Sequence, residues 1–182
     1  HILEAYNTER AYYISYGGKI LAEFPANKVV LDPFGECKGS TVIACMYKVP
    51  DAGNSYILYG LYDSSSGREL VPCSRKEGYP INEERFVLKD TCLIGPEYDD
   101  FAAIYDKNGN VVCDGGKYQD IDFTYGSSYG IGFAISPTDT YYNVINTDGK
   151  AVGGKYDSID KDADGNFVCK KGDQTETIKS AK

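Results

Sequence analysis

The sequence contains no tryptophan, one methionine and one histidine. That histidine is His1, at the very start of the chain, so neither a Ser-His nor a Cys-His pair can be assembled in a core, and nucleophilic catalysis of that kind is excluded. There is no excess of cations: 19 Lys and Arg stand against 27 Asp and Glu, a net charge of −8 with no basic cluster, which excludes a nucleic-acid partner. No apolar run approaches the roughly 20 residues that a membrane helix needs, so membrane insertion is not expected, and no stretch reads as a signal peptide. No CxxC pair or histidine partner accompanies the six cysteines, which removes the usual signal for zinc. No glycine-rich loop follows a strand into a helix. Gly115-Gly116 and Gly153-Gly154 therefore read as turns needing positive φ, not as phosphate cradles, and no cofactor or metal is implied.

What the chain has instead is glycine (20) and tyrosine (17), with 42% hydrophobic and 25% charged residues over 182 positions. That balance suits a soluble core built from short strands and tight turns. The clearest local signal is Tyr142 to Val152, where an extended run meets Asp148-Gly149 and leaves as a second run. The same hairpin recurs at 101–112 on Asn108-Gly109, at 59–71 through Ser66-Gly67, and at 11–21 on Gly17-Gly18. The chain begins at His1 and not at Met, which reads as a mature form or an excised piece of a longer product.

Aligning the hairpins exposes a longer period. An apolar strand A (2–6, 41–48, 86–92, 131–136, 166–171) is followed by a loop, strand B, the glycine turn, strand C, and a fourth segment D (28–32, 78–82, 117–122, 155–160). Starts of strand A at residues 2, 41, 86, 131 and 166 lie 39, 45, 45 and 35 residues apart, a spacing met in propeller blades and some solenoids. The expected fold is all-β: tandem four-stranded antiparallel units, propeller-like, with an open twisted array as the alternative. Residues 1–182 form one domain of about four and a half repeats, the last unit supplying only strands A and B. Only 23–40, broken by Pro25, Pro33 and Gly35, resists the pattern.

Tyr59-Gly60-Leu61-Tyr62-Asp63, followed by Gly67-Arg68-Glu69-Leu70-Val71-Pro72, resembles the bacterial WG (KWG) repeats, with Tyr59 where that family has tryptophan. Asp148-Gly149-Lys150 with Lys155-Tyr156-Asp157, and Asn108-Gly109 with Lys117-Tyr118, match the later half of the motif. The resemblance spans about residues 41–171. It implies a β-structured repeat, often in exported or surface-associated proteins, and carries no catalytic residues over to this chain.

Three groups are candidates for chemistry. Asp160-Lys161-Asp162-Ala163-Asp164-Gly165 matches the opening of a calcium loop, but position 12 is Lys171 where a bidentate Glu is needed, so useful calcium affinity is not expected. Paired acids such as Asp99-Asp100 and Asp120/Asp122 could serve a glycoside hydrolase, although solvated loop carboxylates explain them as well. Buried thiols and disulfides both remain open for the cysteines. The third group is the set of A–B loops, VPDAGNSY, GPEYDD and SPTDTYY, each with a proline, acids and a tyrosine. Equivalent loops of a repeat fall on one edge, so Tyr56, Tyr98 and Tyr141 should line it beside Asp51, Glu97, Asp99, Asp100 and Asp139. Rigid rings over an acidic surface suit a protein or cell-surface glycan. The expected function is thus non-enzymatic binding or scaffolding, extracellular or at the cell surface. The rival is an acidic-residue glycoside hydrolase or its accessory domain.

Overall fold

A computed structural model describes residues 2–6, 10–15, 18–25, 28–29, 41–48, 56–63, 66, 68–90, 101–136 and 138–180. Among these residues every regular element is a β-strand, and all pairings are antiparallel. The first sheet is β1 (Ile2–Tyr6), β2 (Arg10–Ser15) and β3 (Ile20–Pro25), and the second is β4 (Lys28–Val29), β5 (Thr41–Lys48), β6 (Tyr56–Asp63) and β7 (Arg68–Arg75). The third comprises β8 (Glu77–Asn82), β9 (Arg85–Asp90), β10 (Phe101–Asp106) and β11 (Val111–Cys113). The fourth has β12 (Asp120–Asp122), β13 (Tyr129–Ser136) and β14 (Asp139–Asn146), and the fifth β15 (Ser158–Lys161), β16 (Phe167–Lys171) and β17 (Gln174–Ile178). After β14 a fourth run is reduced to two bridges, Ile145 to Ala151 and Tyr142 to Tyr156.

The all-β expectation holds, and the A strands fall where the periodicity puts them. The unit boundary is corrected by one strand. Segment D does not close its own unit; it opens the next sheet, pairing with the following A strand in the order D-A-B-C. Connection length explains this. Only Lys76 separates β7 from β8, too little for a hairpin, whereas two residues join β8 to β9, enough for one. Asp90 pins the crossover, accepting hydrogen bonds from the Lys76 backbone N–H at 2.8 Å and Arg75 Nη1 at 2.7 Å. The fifth unit consequently has three strands rather than two.

From the second sheet to the fifth, successive sheets pack face to face, and β9 shows why. Its residues alternate between two cores: Phe86 and Leu88 join Ile43, Leu61 and Val71 of the second sheet, while Val87 joins Ile121, Ala134 and Ile145 of the fourth. The same alternation runs along β10 and β14, where Ile104 and Val144 reach the following sheet and Tyr105 and Ile145 the preceding one, and Leu61 of β6 likewise reaches the third sheet. A lone two-stranded hairpin is marginal in water and a sheet needs its apolar face covered, and each fully buried aliphatic side chain contributes about 1.5–3 kcal/mol, so burial between the sheets carries much of the stability. The fifth sheet buries only Phe167 and Cys169 strongly, against Val144 and Tyr156, and turns Asp160, Lys170, Thr175 and Thr177 to solvent.

Cys73, Cys113 and Cys169 are buried, the last two as free thiols. Positive φ among the described glycines is confined to Gly18, Gly109, Gly126, Gly149, Gly165 and Gly172, so the pairs Gly115-Gly116 and Gly153-Gly154 are not the left-handed turns expected of them. Gly153 instead leaves room for the Tyr156 hydroxyl and for Ile178.

Candidate functional site

The edge formed by the A–B connections is only partly within the described residues. Asp51, Glu97, Tyr98, Asp99 and Asp100 lie outside them, as do Pro50, Pro96 and Pro137, and of Tyr56 only the backbone, the first residue of β6, is described. Asp139 and Tyr141 open β14, and a third residue brings them together. Lys155 Nζ lies 2.8 Å from Asp139 Oδ2 and 3.9 Å from the centroid of the Tyr141 ring. The hydrogen bond to Asp139 pushes the Lys155 pKa upward and keeps the ammonium charged. Tyr141 is half-buried against the core between the third and fourth sheets, and the cation caps one ring face.

Beside this clamp, between the fourth and fifth sheets, is a cleft of about 470 Å³ lined by Lys155, Tyr156, Cys169, Lys171, Gln174 and Glu176. Tyr156 forms its apolar wall. Its ring is buried, while its hydroxyl accepts the Gly154 N–H at 2.9 Å and donates to Glu176 Oε1. Burial pushes this hydroxyl's pKa up, and the bond to Glu176 adds to the shift. Burial likewise pushes the Cys169 thiol to about 11, so at neutral pH it is a small apolar wall and not a nucleophile.

Further along the same edge, Lys89 at the end of β9 is buried, with Nζ 2.8 Å from Asp120 Oδ1 and 3.4 Å from Glu77 Oε2. Burial alone would depress its pKa, but Asp120 and Glu77 outweigh it and the net shift is upward. Tyr79 beneath it donates to the Ile121 carbonyl at 2.6 Å, and its own pKa is pushed up, chiefly by burial. These groups stitch the third sheet to the fourth. Lys89, Tyr156 and Glu176 are not visible as candidates in the sequence; the one signal is that the D segments at 117–122 and 155–160 read KYQDID and KYDSID, near-copies that place Tyr118 and Tyr156 at equivalent points.

The opposite edge, where the glycine turns lie, holds a second cleft of about 500 Å³ between Asn82–Arg85 and Tyr125–Gly126. Arg85 closes one side by donating from Nε at 3.0 Å and Nη2 at 2.9 Å to Asp148 Oδ1, and Lys107 Nζ lies 2.8 Å from Glu84 Oε1.

The calcium-like loop has a structural use. Asp162 accepts the N–H groups of Asp164 at 2.9 Å and Asn166 at 2.8 Å, and Asn166 Nδ2 at 3.0 Å, bonds that depress its pKa. Asp106 does the same for Asn108 and Asn110, each backbone N–H at 2.8 Å, and Asn146 for Asp148 and Lys150, each at 3.0 Å. One turn is thus written three times, closed by an Asp side chain in two copies and by an Asn side chain in the third.

In comparisons with known proteins the chain matches no protein-family model, no curated protein and no solved structure. Fold and edge geometry therefore define the class: an all-β chain of small antiparallel sheets packed in series.

Proposed function

We propose that this protein is a non-enzymatic binding or scaffolding module, a WG-like repeat acting outside the cell or at its surface, whose A–B edge recognises a protein or a cell-surface glycan. Its sheets are read as blades of a propeller-like arc, with the open array as the alternative; the D-A-B-C order and the face-to-face packing support both. The observation that carries the functional reading is the cleft between the fourth and fifth sheets, which opens on the A–B edge beside the Tyr141–Lys155–Asp139 clamp. An aromatic wall flanked by amide, hydroxyl, carboxylate and ammonium groups suits polar ring-shaped or peptide ligands.

The hydrolase reading is weaker on chemical grounds. A two-carboxylate mechanism needs a general acid with a raised pKa beside a second acid. Among the described residues the first cleft has Glu176 as its one carboxylate, and the shifted aspartates, Asp106 and Asp162, are shifted downward; Asp99 and Asp100 lie outside those residues. Glu83 and Glu84 line the other cleft, but Lys107 holds Glu84.

The test replaces Tyr56, Tyr98 and Tyr141 together by Ala and probes parent and variant on a glycan array and in pull-downs. Loss of the parent's partner is expected. Unchanged binding to everything the parent captures sinks the edge assignment, and release of reducing sugar from a bound polysaccharide would establish the hydrolase instead.

A further inference from the structure

The cleft between the fourth and fifth sheets exists because of specific replacements. Pairing registers align the two sheets: Ile121 opposes Gly132 and Ile159 opposes Cys169, while Ala134 opposes Tyr141 and Lys171 opposes Gln174. Gln174 therefore occupies the place of Tyr141, Lys171 that of Ala134, and Glu176 that of Asn143. In the preceding interface Tyr141 packs its half-buried ring against the core that contains Tyr118. At the next interface the ring is missing, the tyrosine wall is repeated as Tyr156, and the space is the cleft. A buried alanine has been exchanged there for a lysine that makes no ion pair with any described residue.

We infer that this cleft is a subsite for one acidic pyranose residue of a glycan, a sugar ring taking the place that the Tyr141 ring fills one interface earlier. The inference rests on the binding-module reading. The apolar face of the sugar lies against Tyr156, its hydroxyls meet Gln174 and Glu176, and its carboxylate meets Lys171. An acidic sugar is favoured over a neutral one because a lysine stands at the wall as Ala134's counterpart, and over an aromatic peptide because six of the lining side chains are hydrogen-bonding or charged.

The probe is tetragalacturonate, with maltotetraose as the neutral comparison and an acidic tyrosine-containing peptide as the other partner class. Binding is followed by calorimetry and by amide chemical shifts. The full chain is expected to bind tetragalacturonate at least tenfold more tightly than maltotetraose, with shifts centred on Gly154, Lys155, Lys171 and Gln174. Gln174→Tyr, which rebuilds the plug of the previous interface, and Lys171→Ala should each weaken binding at least tenfold while the circular dichroism spectrum and melting temperature are kept. Parental affinity in Gln174→Tyr overturns the subsite, as does equal affinity for the neutral sugar or preference for the peptide. If the parent captures a partner on the array and both variants capture it equally, the subsite fails and the binding reading stands. If the parent captures nothing, both fail.

Discussion

Lys89 is the residue whose burial most needs an explanation, since a lone buried ammonium is costly. Its partners Asp120 and Glu77 are about half exposed, with side chains 41% and 51% accessible, so solvent screens part of the attraction. Lys89→Met is accordingly expected to cost about 1–2 kcal/mol at neutral pH, measured by urea unfolding. The sign of its pH dependence follows from the upward shift. A raised lysine pKa stabilises fully below the unfolded value of about 10.4 and is lost as pH rises through the folded value. Tyr118, pushed by burial up to about 12, acts in the same window and direction. Asp106 and Asp162 are depressed, so their contribution is present above about pH 4 and lost below it. The melting temperature should be flat from about pH 5 to 9 and fall on either side, and the gap between parent and Lys89→Met should close above about pH 10. A gap that stays constant would show that the Lys89 ion pairs are not what the substitution removes.

Gly132 offers a second test at this scale. A Cβ there would stand 2.7 Å from Tyr118 Cε1, a fully buried ring with nowhere to move. Gly132→Ala is expected to destabilise by about 1–3 kcal/mol through overpacking, read from the shift in unfolding midpoint.

Among the elements, the three copies of the Asx-closed turn separate backbone strain from packing. Gly109, Gly149 and Gly165 hold φ of 84°, 71° and 81°, which other residues reach at a cost of about 1–2 kcal/mol. Yet a Cβ on Gly149 would stand 2.6 Å from Cys113 Cβ, whereas on Gly165 it would meet nothing within 4 Å. Gly149→Ala should therefore cost more than Gly165→Ala by about 1–3 kcal/mol, and equal costs would mean that the turn does not press on the preceding sheet. The WG-like hairpin has a comparable logic. β6 and β7 pair irregularly around Pro72, and a Cβ on Gly60 would lie 2.5 Å from the Val71 carbonyl oxygen, so glycine beside Tyr59 is what lets the bulged strand approach.

Over the whole molecule, serial packing makes stability uneven. β9 is covered on both faces, whereas β17 is paired on one edge only, with β16, and its residues Gln174 to Thr177 are all exposed. Hydrogen exchange should be slowest in β9 and β10 and fastest in β17 among the strands from β8 to β17. Uniform protection would contradict nearest-neighbour stabilisation.

Strand content, hairpin positions and the repeat were legible in the residues, because alternation and Asx-Gly turns act over a few positions and need no distant partner. The sequence also determined the three-fold recurrence of the turn and the pairing of Tyr118 with Tyr156 through KYQDID and KYDSID. It did not decide which neighbour the D segment joins: the order D-A-B-C depends on connections one or two residues long and on which faces find a core. Nor could it show that Asp139 and Tyr141 share Lys155, that Lys89 is buried between acids of two sheets, or that Gln174 leaves open the space Tyr141 fills. Those facts belong to tertiary structure because each joins side chains from separate strands or sheets, and the buried area that selects such contacts exists only once the sheets have packed.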